Sequence, residues 1–310
     1  MRVRIWLAML AVYIFWGSTY LAIRYAVESI PPFLMAASRH CIAGLILFAW
    51  MRTKGTPLPK LSQWRVTVVM GLFLLLGGNG LLVWAEQRVI SSVAALMIGS
   101  VPLWIVLVDS LRRGGKRPGW QVVAGVLVGF IGIVILINPF GDTGSGKEID
   151  FLGAVALLFA ALSWAIGSIY GREHHAELPR EPLLATSMEM LGGGMGLLLV
   201  GTFTGEWNKL NLSTITSNSL LGLGYLILFG SLIAFAAYTW LLGVAPTPLV
   251  STYAYVNPLV AIILGSLIAD EPITPRIIIA ALVIVGAVVL INTEQMVKAL
   301  RKNAAQTISG

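Results

Sequence analysis

Two ionisable residues lie inside apolar runs, where a charge is costly and marks a candidate site. Arg39 lies in the run 33–51 and Glu189 in the run 183–203, each long enough to cross a bilayer. An arginine at mid-membrane costs about 2.5–3.5 kcal/mol on insertion scales. Arg39 is a candidate substrate or gating contact; the alternative is a snorkelling side chain that joins two helices. Glu189 is a candidate proton relay; the alternative is a permanently neutral glutamate, or one paired with Arg172 or another helix.

Arg39 needs polar partners at its own depth in the membrane. The third apolar run places Asn79, among the glycines of residues 77–80, at nearly that depth, with Glu86 one or two turns nearer the surface. We therefore expect Arg39 to contact Asn79, backbone carbonyls and Glu86 near a vestibule. The adjacent His40 is expected to pack as a hydrogen-bonded group rather than to carry a proton.

Aromatic and small polar residues recur at mid-membrane positions. Trp16 and Tyr20 are four residues apart and share one face of the first predicted helix. The remaining candidates for the lining of a cavity are Ser18, Asn79, Trp164, Ser168, Tyr253, Tyr255 and Asn257. Aromatic faces with a few polar tips suit an amphipathic organic solute, including one that carries an amine. Anchoring at the membrane interface is the alternative, but it explains mid-span tryptophans poorly.

Membrane helices must position these residues. Of the 310 residues, 57% are hydrophobic and 11% are charged, whereas soluble domains carry about 25% charged residues. The first apolar run lacks a cleavage site and is expected to stay as an anchor. The only cysteine, Cys41, lies within a span, so an intrachain disulfide is excluded. Membrane helices are predicted at roughly 5–26, 32–51, 66–86, 90–109, 119–138, 151–170, 183–203, 220–241, 248–268 and 274–292.

The net charge of +7 is explained by topology rather than by a nucleic-acid partner. With the N-terminus inside, 15 of the 21 basic residues fall in cytoplasmic segments, which predicts that both termini are cytoplasmic. Phosphate-loop, metalloprotease and hydrolase-triad motifs are absent from the sequence, so we expect no catalytic residues, metal or cofactor. Glycines at 125 and 129 favour close packing inside a monomer, with a weak homodimer as the alternative.

The sequence also repeats itself. The run 132–138 (GIVILIN) matches 286–292 (GAVVLIN), Pro102 matches Pro258, and the offsets lie between 148 and 156. Two halves of five helices each must have opposite orientations, a plan typical of secondary transporters. We therefore predict an all-α integral membrane protein with ten transmembrane helices in two inverted five-helix repeats, followed by a basic cytoplasmic tail. The predicted boundaries are 1–142, 150–296 and 297–310.

The two prolines are predicted to interrupt the fourth and ninth helices near their middles. A proline inside a helix frees a carbonyl four residues earlier. At membrane depth such a carbonyl is tolerated where it faces protein or a watery cavity. Pro102 and Pro258 are therefore candidate gating residues, and helix packing alone is the equal alternative.

Several motifs carry a family resemblance. The runs 15–20 (FWGSTY), 38–44 (SRHCIAG), 78–80 (GNG), 163–164 (SW) and 251–258 (STYAYVNP) resemble the EamA-type drug/metabolite transporter family over about residues 5–293. The resemblance implies a bacterial inner-membrane exporter of small metabolites, amino acids or amphipathic drugs. The inverted repeat predicts alternating access in the lipid bilayer, and Glu189 makes protons the hypothetical coupling ion. An uncoupled facilitator or channel is the alternative, and an intramembrane enzyme or receptor is less favoured.

One departure from the family concerns an acidic residue. Many members carry a glutamate just after the fourth helix, where this chain has Asp109, whereas the matching glutamate of the second half is present as Glu271. If these acids help to close the two ends, the two halves are expected to gate unequally.

Overall fold

The fold is that of a computed structural model describing residues 2–112, 114, 118–138, 149–245 and 247–308. The regular structure in these ranges is helical and contains no strand, which confirms the all-α class for them. The predicted repeat boundary at 142 lies outside the described residues. So do four basic residues of the topology prediction, namely Arg113, Lys116, Arg117 and Lys147.

The helices follow one another along the chain with short connections. The first half contains α1 Arg2–Ala26, α2 Pro32–Thr53, α3 Leu61–Gly71, α4 Leu81–Ala85, α5 Ser91–Ile98, α6 Val101–Leu111 and α7 Trp120–Ile137. The second half contains α8 Phe151–Glu173, α9 Pro182–Phe203, α10 Glu206–Lys209, α11 Ser217–Tyr225, α12 Ala234–Val244, α13 Thr247–Val250, α14 Tyr253–Ala269 and α15 Pro275–Ile308. Two π-helical segments, Leu72–Gly80 and Leu226–Ile233, join α3 to α4 and α11 to α12.

Eight helical stretches among the described residues are long and apolar enough to cross a membrane. The apolar parts of the last two predicted spans, Tyr253–Ala269 and Pro275–Ile291, are shorter. All ten stretches predicted from hydropathy are apolar helices, and eight of them are long enough to cross a membrane. Apolar side chains such as Trp120, Leu127 and Ile131 are exposed along these helices, as expected where lipid rather than water is the neighbour.

The fourth predicted helix is interrupted near its middle, as predicted, but the break lies just before Pro102 rather than at it. The helix breaks at Gly99–Ser100, and Pro102 lies in the first turn of α6, where a missing backbone N–H costs little. Pro258 lies inside α14, which runs through it without a break, so the interruption predicted at Pro258 is not present. Pro258 also packs against Gly99: a Cβ on that glycine would lie 2.9 Å from the proline Cγ. The two proline regions therefore meet where α5 crosses α14.

The two π segments occupy equivalent places in the two halves. Their first residues, Leu72 and Leu226, are 154 residues apart, within the range of offsets found between the sequence repeats. A π-helix shifts the backbone hydrogen bonds by one residue and is frequent at functional sites. The hydroxyl of Ser163 in α8 donates to the Phe73 carbonyl in the first segment (2.7 Å), which binds α8 to it.

Packing between the halves is reciprocal. Helices α2 and α9 pack on each other, as do α7 and α15. Helix α1 packs against α14 and the second π segment, while α8 packs against α6 and the first π segment. Close approach of α3 to α9 depends on small residues, because a Cβ on Gly193 would lie 2.6 Å from the Gly71 carbonyl oxygen. Each half therefore supplies one side of the central interface.

Candidate functional site

Four aromatic side chains, Trp16, Phe235, Tyr238 and Tyr253, form an aromatic cluster at the centre of this interface. The Trp16 ring of α1 lies 5.1 Å from Phe235, 5.0 Å from Tyr238 and 5.1 Å from Tyr253, measured between ring centroids. Its indole N–H donates to the Gly230 carbonyl in the second π segment (3.1 Å). The cluster thus joins the first helix of one half to α12 and α14 of the other.

Arg39 is buried beside this cluster, with 4% of its surface exposed. Its Nε donates to the Ser231 hydroxyl (2.8 Å), and its NH1 has no hydrogen-bond partner in the described part of the chain. The predicted contact between Arg39 and Asn79 is wrong, since the Asn79 Oδ1 pairs with His40 Nε2 (3.1 Å). The two groups have different partners: Arg39 bonds to Ser231 in the second π segment, and Asn79 bonds to His40.

Glu86 is also buried, at the end of α4. It lies within electrostatic reach of Arg39, Arg24, Tyr20 and Glu271, but no direct ion pair joins it to either arginine among the described residues. The backbone amide of Arg24 lies close to the carboxylate, but no well-formed hydrogen bond joins them in the described ranges. The expected proximity of Arg39 and Glu86 is therefore present, without the expected pairing.

Glu271, Arg24, Ser91 and Ser92 form a polar group, the Glu271 cluster, at one end of the molecule. The carboxylate accepts from Arg24 (2.5 Å), from the Ser91 amide and hydroxyl (2.9 and 2.7 Å) and from the Ser92 amide (3.0 Å). It therefore caps the N-terminus of α5 from the loop after α14. Burial pushes the pKa of Glu271 up, but the bonds from the two serines outweigh it and hold that pKa below its usual value.

The opposite end carries a looser group, the Asp109 cluster, formed by Asp109, Arg112, Arg172 and Glu173. Asp109 accepts from Arg112 Nε and Arg172 (both 2.6 Å), and Arg112 also pairs with Glu173. Here the acid is 20% exposed and Arg172 is 54% exposed, whereas the Glu271 side chain is 2% exposed. Arg172 is thus bound to Asp109 and does not pair with Glu189. The acidic residues at the two ends differ in burial, which is consistent with the expectation that the two halves gate unequally.

Glu189 lies near the aromatic cluster and is partly exposed. Its carboxylate has no hydrogen bond or ion pair in the described ranges, and its charge acts on Tyr238. The backbone of α9 approaches α3 closely at this point, because a Cβ on Gly71 would collide with the Glu189 carbonyl oxygen. Of the two ionisable residues singled out from the sequence, Arg39 is therefore enclosed and Glu189 is partly accessible.

The other predicted lining residues are divided between the site and helix packing. The Ser18 hydroxyl turns toward the Tyr225 hydroxyl (2.6 Å), and the Ser168 hydroxyl donates to the Trp164 carbonyl in its own helix (2.8 Å). The Trp164 ring packs on Gly78. These contacts place Ser18 and Ser168 in helix packing, away from the aromatic cluster.

The run 251–258 (STYAYVNP), which leads into α14, contributes a buried amide. Asn257 lies beside Gly17 of α1, and its Oδ1 has no hydrogen-bond partner among the described residues. Tyr255 is half-buried and packs on the large apolar core. Asn257 is therefore a polar group available close to Trp16, as the sequence suggested.

Sequence reasoning missed Ser231, Phe235 and Tyr238. All three follow the second π segment or lie within it, where the sequence reads as one apolar helix. The available signal was the repeat itself, since the glycine-rich stretch at 77–80 has its counterpart there.

Two cavities lie away from this site. One of about 330 Å³ is almost entirely apolar and lies between α2, α9 and α11, lined by residues such as Leu34, Leu198 and Leu220. Another of about 270 Å³ lies at the loop after α1 and includes Glu206 and Lys209. Neither includes Trp16, Arg39 or Glu86, of which Arg39 and Glu86 are buried and Trp16 is half-buried.

Together these features define a class: a polytopic helical membrane protein with a buried polar and aromatic site between two matching halves. The sequence matches the EamA-like transporter family over residues 4–138 and 151–293, and the chain belongs to that family. It is 38% identical over 287 residues to the uncharacterized inner membrane transporter YedA of Escherichia coli, covering 92% of this chain and 89% of that protein. YedA belongs to the same drug/metabolite transporter superfamily.

More distant relatives extend the comparison. Protein PecM of Dickeya dadantii is 29% identical, with 93% of this chain and 94% of that protein covered. The uncharacterized transporter YvbV of Bacillus subtilis is 24% identical, with 91% and 89% covered. A solved crystal structure matches with a TM-score of 0.62 at 20% identity, covering 94% of this chain and 98% of that one, which shows the fold alone.

Proposed function

We propose that this protein is a secondary active transporter that exports small metabolites from the cytoplasm by alternating access. In this proposal its ten helices form two inverted five-helix repeats in a bacterial inner membrane, with both termini in the cytoplasm. The reciprocal packing of the halves and the paired π segments support the repeat. The name of the relative YedA supports the inner-membrane location.

The observation that carries the proposal is a difference in burial between the two ends of the molecule, which lie on either side of one central site. On one side, Tyr20, Arg39, Glu86 and Glu271 are all buried. On the other side, Glu189 and the aromatic cluster are partly exposed and the Asp109 cluster is loose. A site open to one side and closed to the other is what a carrier needs in each half of its cycle.

Proton coupling through Glu189 is part of the proposal. In the present state Glu189 is half-buried, and no ion pair among the described residues neutralises its carboxylate. Rocking of one half against the other would bury it and expose Arg39. A carboxylate that changes exposure during the cycle changes its proton affinity, which gives a route to coupling. Glu189→Gln is then expected to preserve exchange of solute but to abolish accumulation driven by a pH gradient.

Counterflow in proteoliposomes tests the carrier. Vesicles are loaded with an unlabelled solute pool, and uptake of the same labelled pool is followed. We expect uptake to be stimulated by solute on the opposite side. Trp16→Ala should reduce it strongly, whereas Trp6→Ala, an exposed tryptophan on the same helix, should not. Absence of stimulation for every solute would contradict a carrier, and flux that does not saturate would indicate a channel.

An assay in whole cells tests the direction of transport. Overproducing cells are challenged with toxic analogues of amino acids and with amphipathic drugs. Export predicts resistance and a lower internal concentration, whereas greater sensitivity with accumulation would indicate import.

A further inference from the structure

An apolar groove runs along one face of α2, where this helix meets α9 and α11. This groove, the α2 groove, has a volume of about 330 Å³, and its walls include Leu34, Leu198 and Leu223. The hydroxyl of Ser38, which also lines it, donates to the Met35 carbonyl of its own helix (2.8 Å). A buried water needs about two to four polar partners, and the residues that line this groove offer no free hydroxyl to hold one. The groove therefore suits an apolar occupant.

The direction and the opening of the α2 groove are those that an acyl chain requires. Leu34, Ser38 and Cys41 line it at helical spacing, so it follows α2 for about 10 Å from the first turn of that helix toward its middle. Trp207 and Leu220 line it as exposed residues, so the groove is open to the surroundings. In a bilayer those surroundings are lipid, whose chains also run from the membrane surface toward its middle. An acyl chain can thus enter the groove from the side.

A second, polar cavity adjoins the α2 groove. This loop cavity, of about 270 Å³, lies at the loop after α1, and Ile30 lines both spaces. Its buried acid, Glu206, already accepts from two backbone amides at the start of α2. Glu28 and Lys209 line the cavity as exposed groups, and neither forms an ion pair in the described part of the chain. A lysine and a glutamate are therefore available to the charged groups of a ligand.

The headgroup has to supply the selectivity of a lipid site here. A chain in the bilayer already lies among other chains, which are as apolar as leucine, so entering the groove changes its surroundings little. Lys209 offers donors to a phosphate, and Glu28 offers acceptors to an ammonium group. A headgroup with a phosphate and no cation would leave Glu28 unpaired and add a negative charge to a cavity that holds two carboxylates.

We propose that the α2 groove and the loop cavity together bind one phospholipid with a zwitterionic headgroup. Its acyl chain lies along α2, its phosphate faces Lys209 and its ammonium group faces Glu28. In the proposed topology this lipid belongs to the outer leaflet. Because α2 belongs to the first half of the chain and α9 and α11 to the second, the lipid fills a space between the halves, away from the aromatic cluster.

Cys41 is a direct probe of the occupied groove, because it lines the groove, is half-buried and is the only cysteine of the chain. The purified full-length protein is delipidated in a steroid-based detergent, which carries no alkyl chain. Alkylation of Cys41 by N-ethylmaleimide is then followed by mass spectrometry of the intact protein. Three lipids are compared: palmitoyl-oleoyl phosphatidylethanolamine, phosphatidylglycerol with the same chains, and dihexanoyl phosphatidylethanolamine.

The long-chain phosphatidylethanolamine should slow alkylation of Cys41 by at least about fivefold. It should do so at concentrations about tenfold lower than phosphatidylglycerol, and the dihexanoyl lipid should give no protection. Glu28→Gln should abolish the preference between the two long-chain lipids. Glu177→Gln, an exposed acid between α8 and α9, is the matched control and should keep it.

Two pairs of variants fill the groove or leave it open. Leu198→Trp places a larger side chain in it, whereas Leu199→Trp, at the exposed neighbouring position of α9, is the control. Leu223→Trp and Leu221→Trp form the same kind of pair on α11, so the test survives if one variant fails to fold. Filling should remove the effect of lipid on Cys41 alkylation, and each control should keep that effect.

Four results would overturn the proposal. They are no protection by the long-chain phosphatidylethanolamine, equal protection by the dihexanoyl lipid, equal effects of the two headgroups on the wild type, and undiminished protection in both groove-filling variants. Protection that depends on the protein concentration rather than on lipid would assign the groove to a second copy of the chain, and would overturn the proposal as well.

Discussion

Replacing Glu271 by glutamine should loosen one end of the molecule by a measurable amount. The carboxylate accepts three hydrogen bonds from Ser91 and Ser92 and one from Arg24. Hydrogen bonds to a charged group contribute about 1.5–3 kcal/mol each, and a helix cap about 0.5–2 kcal/mol. Glutamine keeps one acceptor oxygen, and Arg24 is 33% exposed, so its share is discounted for solvent screening. We therefore expect a loss of about 2 kcal/mol, or roughly thirtyfold in the opening equilibrium.

Hydrogen–deuterium exchange measures this opening directly. The amides of Ser91 and Ser92 are protected by the carboxylate itself, so their exchange in Glu271→Gln should be roughly thirtyfold faster at the same pH. Glu206→Gln is the matched control, because Glu206 accepts from the Phe33 and Leu34 amides at the start of α2 (3.3 and 2.9 Å). It should accelerate exchange there and leave α5 unchanged. Acceleration of α5 by less than about threefold, or equal acceleration in both variants, would refute the reasoning.

Three further predictions concern Glu271, Asp109 and Gly71. Because the pKa of Glu271 is lowered, its contribution should be complete above about pH 4.3 and be lost as the pH falls through the folded-state pKa. The melting-temperature difference between wild type and Glu271→Gln as a function of pH checks this; a difference that grows on acidification would contradict it. Asp109→Asn should cost about 1 kcal/mol or less in thermal unfolding, since its partners are more exposed, and a cost equal to that of Glu271→Gln would contradict the inequality of the ends. Gly71→Ala meets the backbone of Glu189 and should destabilise by at least about 1–3 kcal/mol. Gly224→Ala, where a Cβ meets open space, should be neutral or stabilising, and equal melting temperatures for the two variants would show that α3 can move away from α9.

Hydropathy predicted the helices well because burial in lipid requires continuous apolar runs. The prediction at 32–51 corresponds to Pro32–Thr53, and that at 183–203 to Pro182–Phe203. The interruption at Gly99 and the π segments were not predictable in the same way. A shift of one hydrogen bond changes the geometry of a helix without changing its hydropathy, and Pro102 fits the first turn of a helix as well as a kink.

The site was predicted only where one helix determines the geometry. Trp16 and Tyr20 share a face of α1, and helical spacing alone places them together. The partner of Arg39 could not be found this way, since Ser231 is 192 residues away and belongs to the other half. Depth in the membrane is a single coordinate; which residues meet at that depth depends on how the halves pack.

Locking the closed end tests the alternating-access account most directly. Arg24→Cys and Glu271→Cys are combined in a Cys41→Ser background, which removes the only native cysteine, and are joined by a short cleavable crosslinker. The same double variant treated with a monofunctional maleimide serves as the control. The account predicts that crosslinking stops counterflow of the labelled solute pool and that cleavage of the linker restores it. Counterflow at the control rate in fully crosslinked protein would show that this end need not open, and would contradict the account.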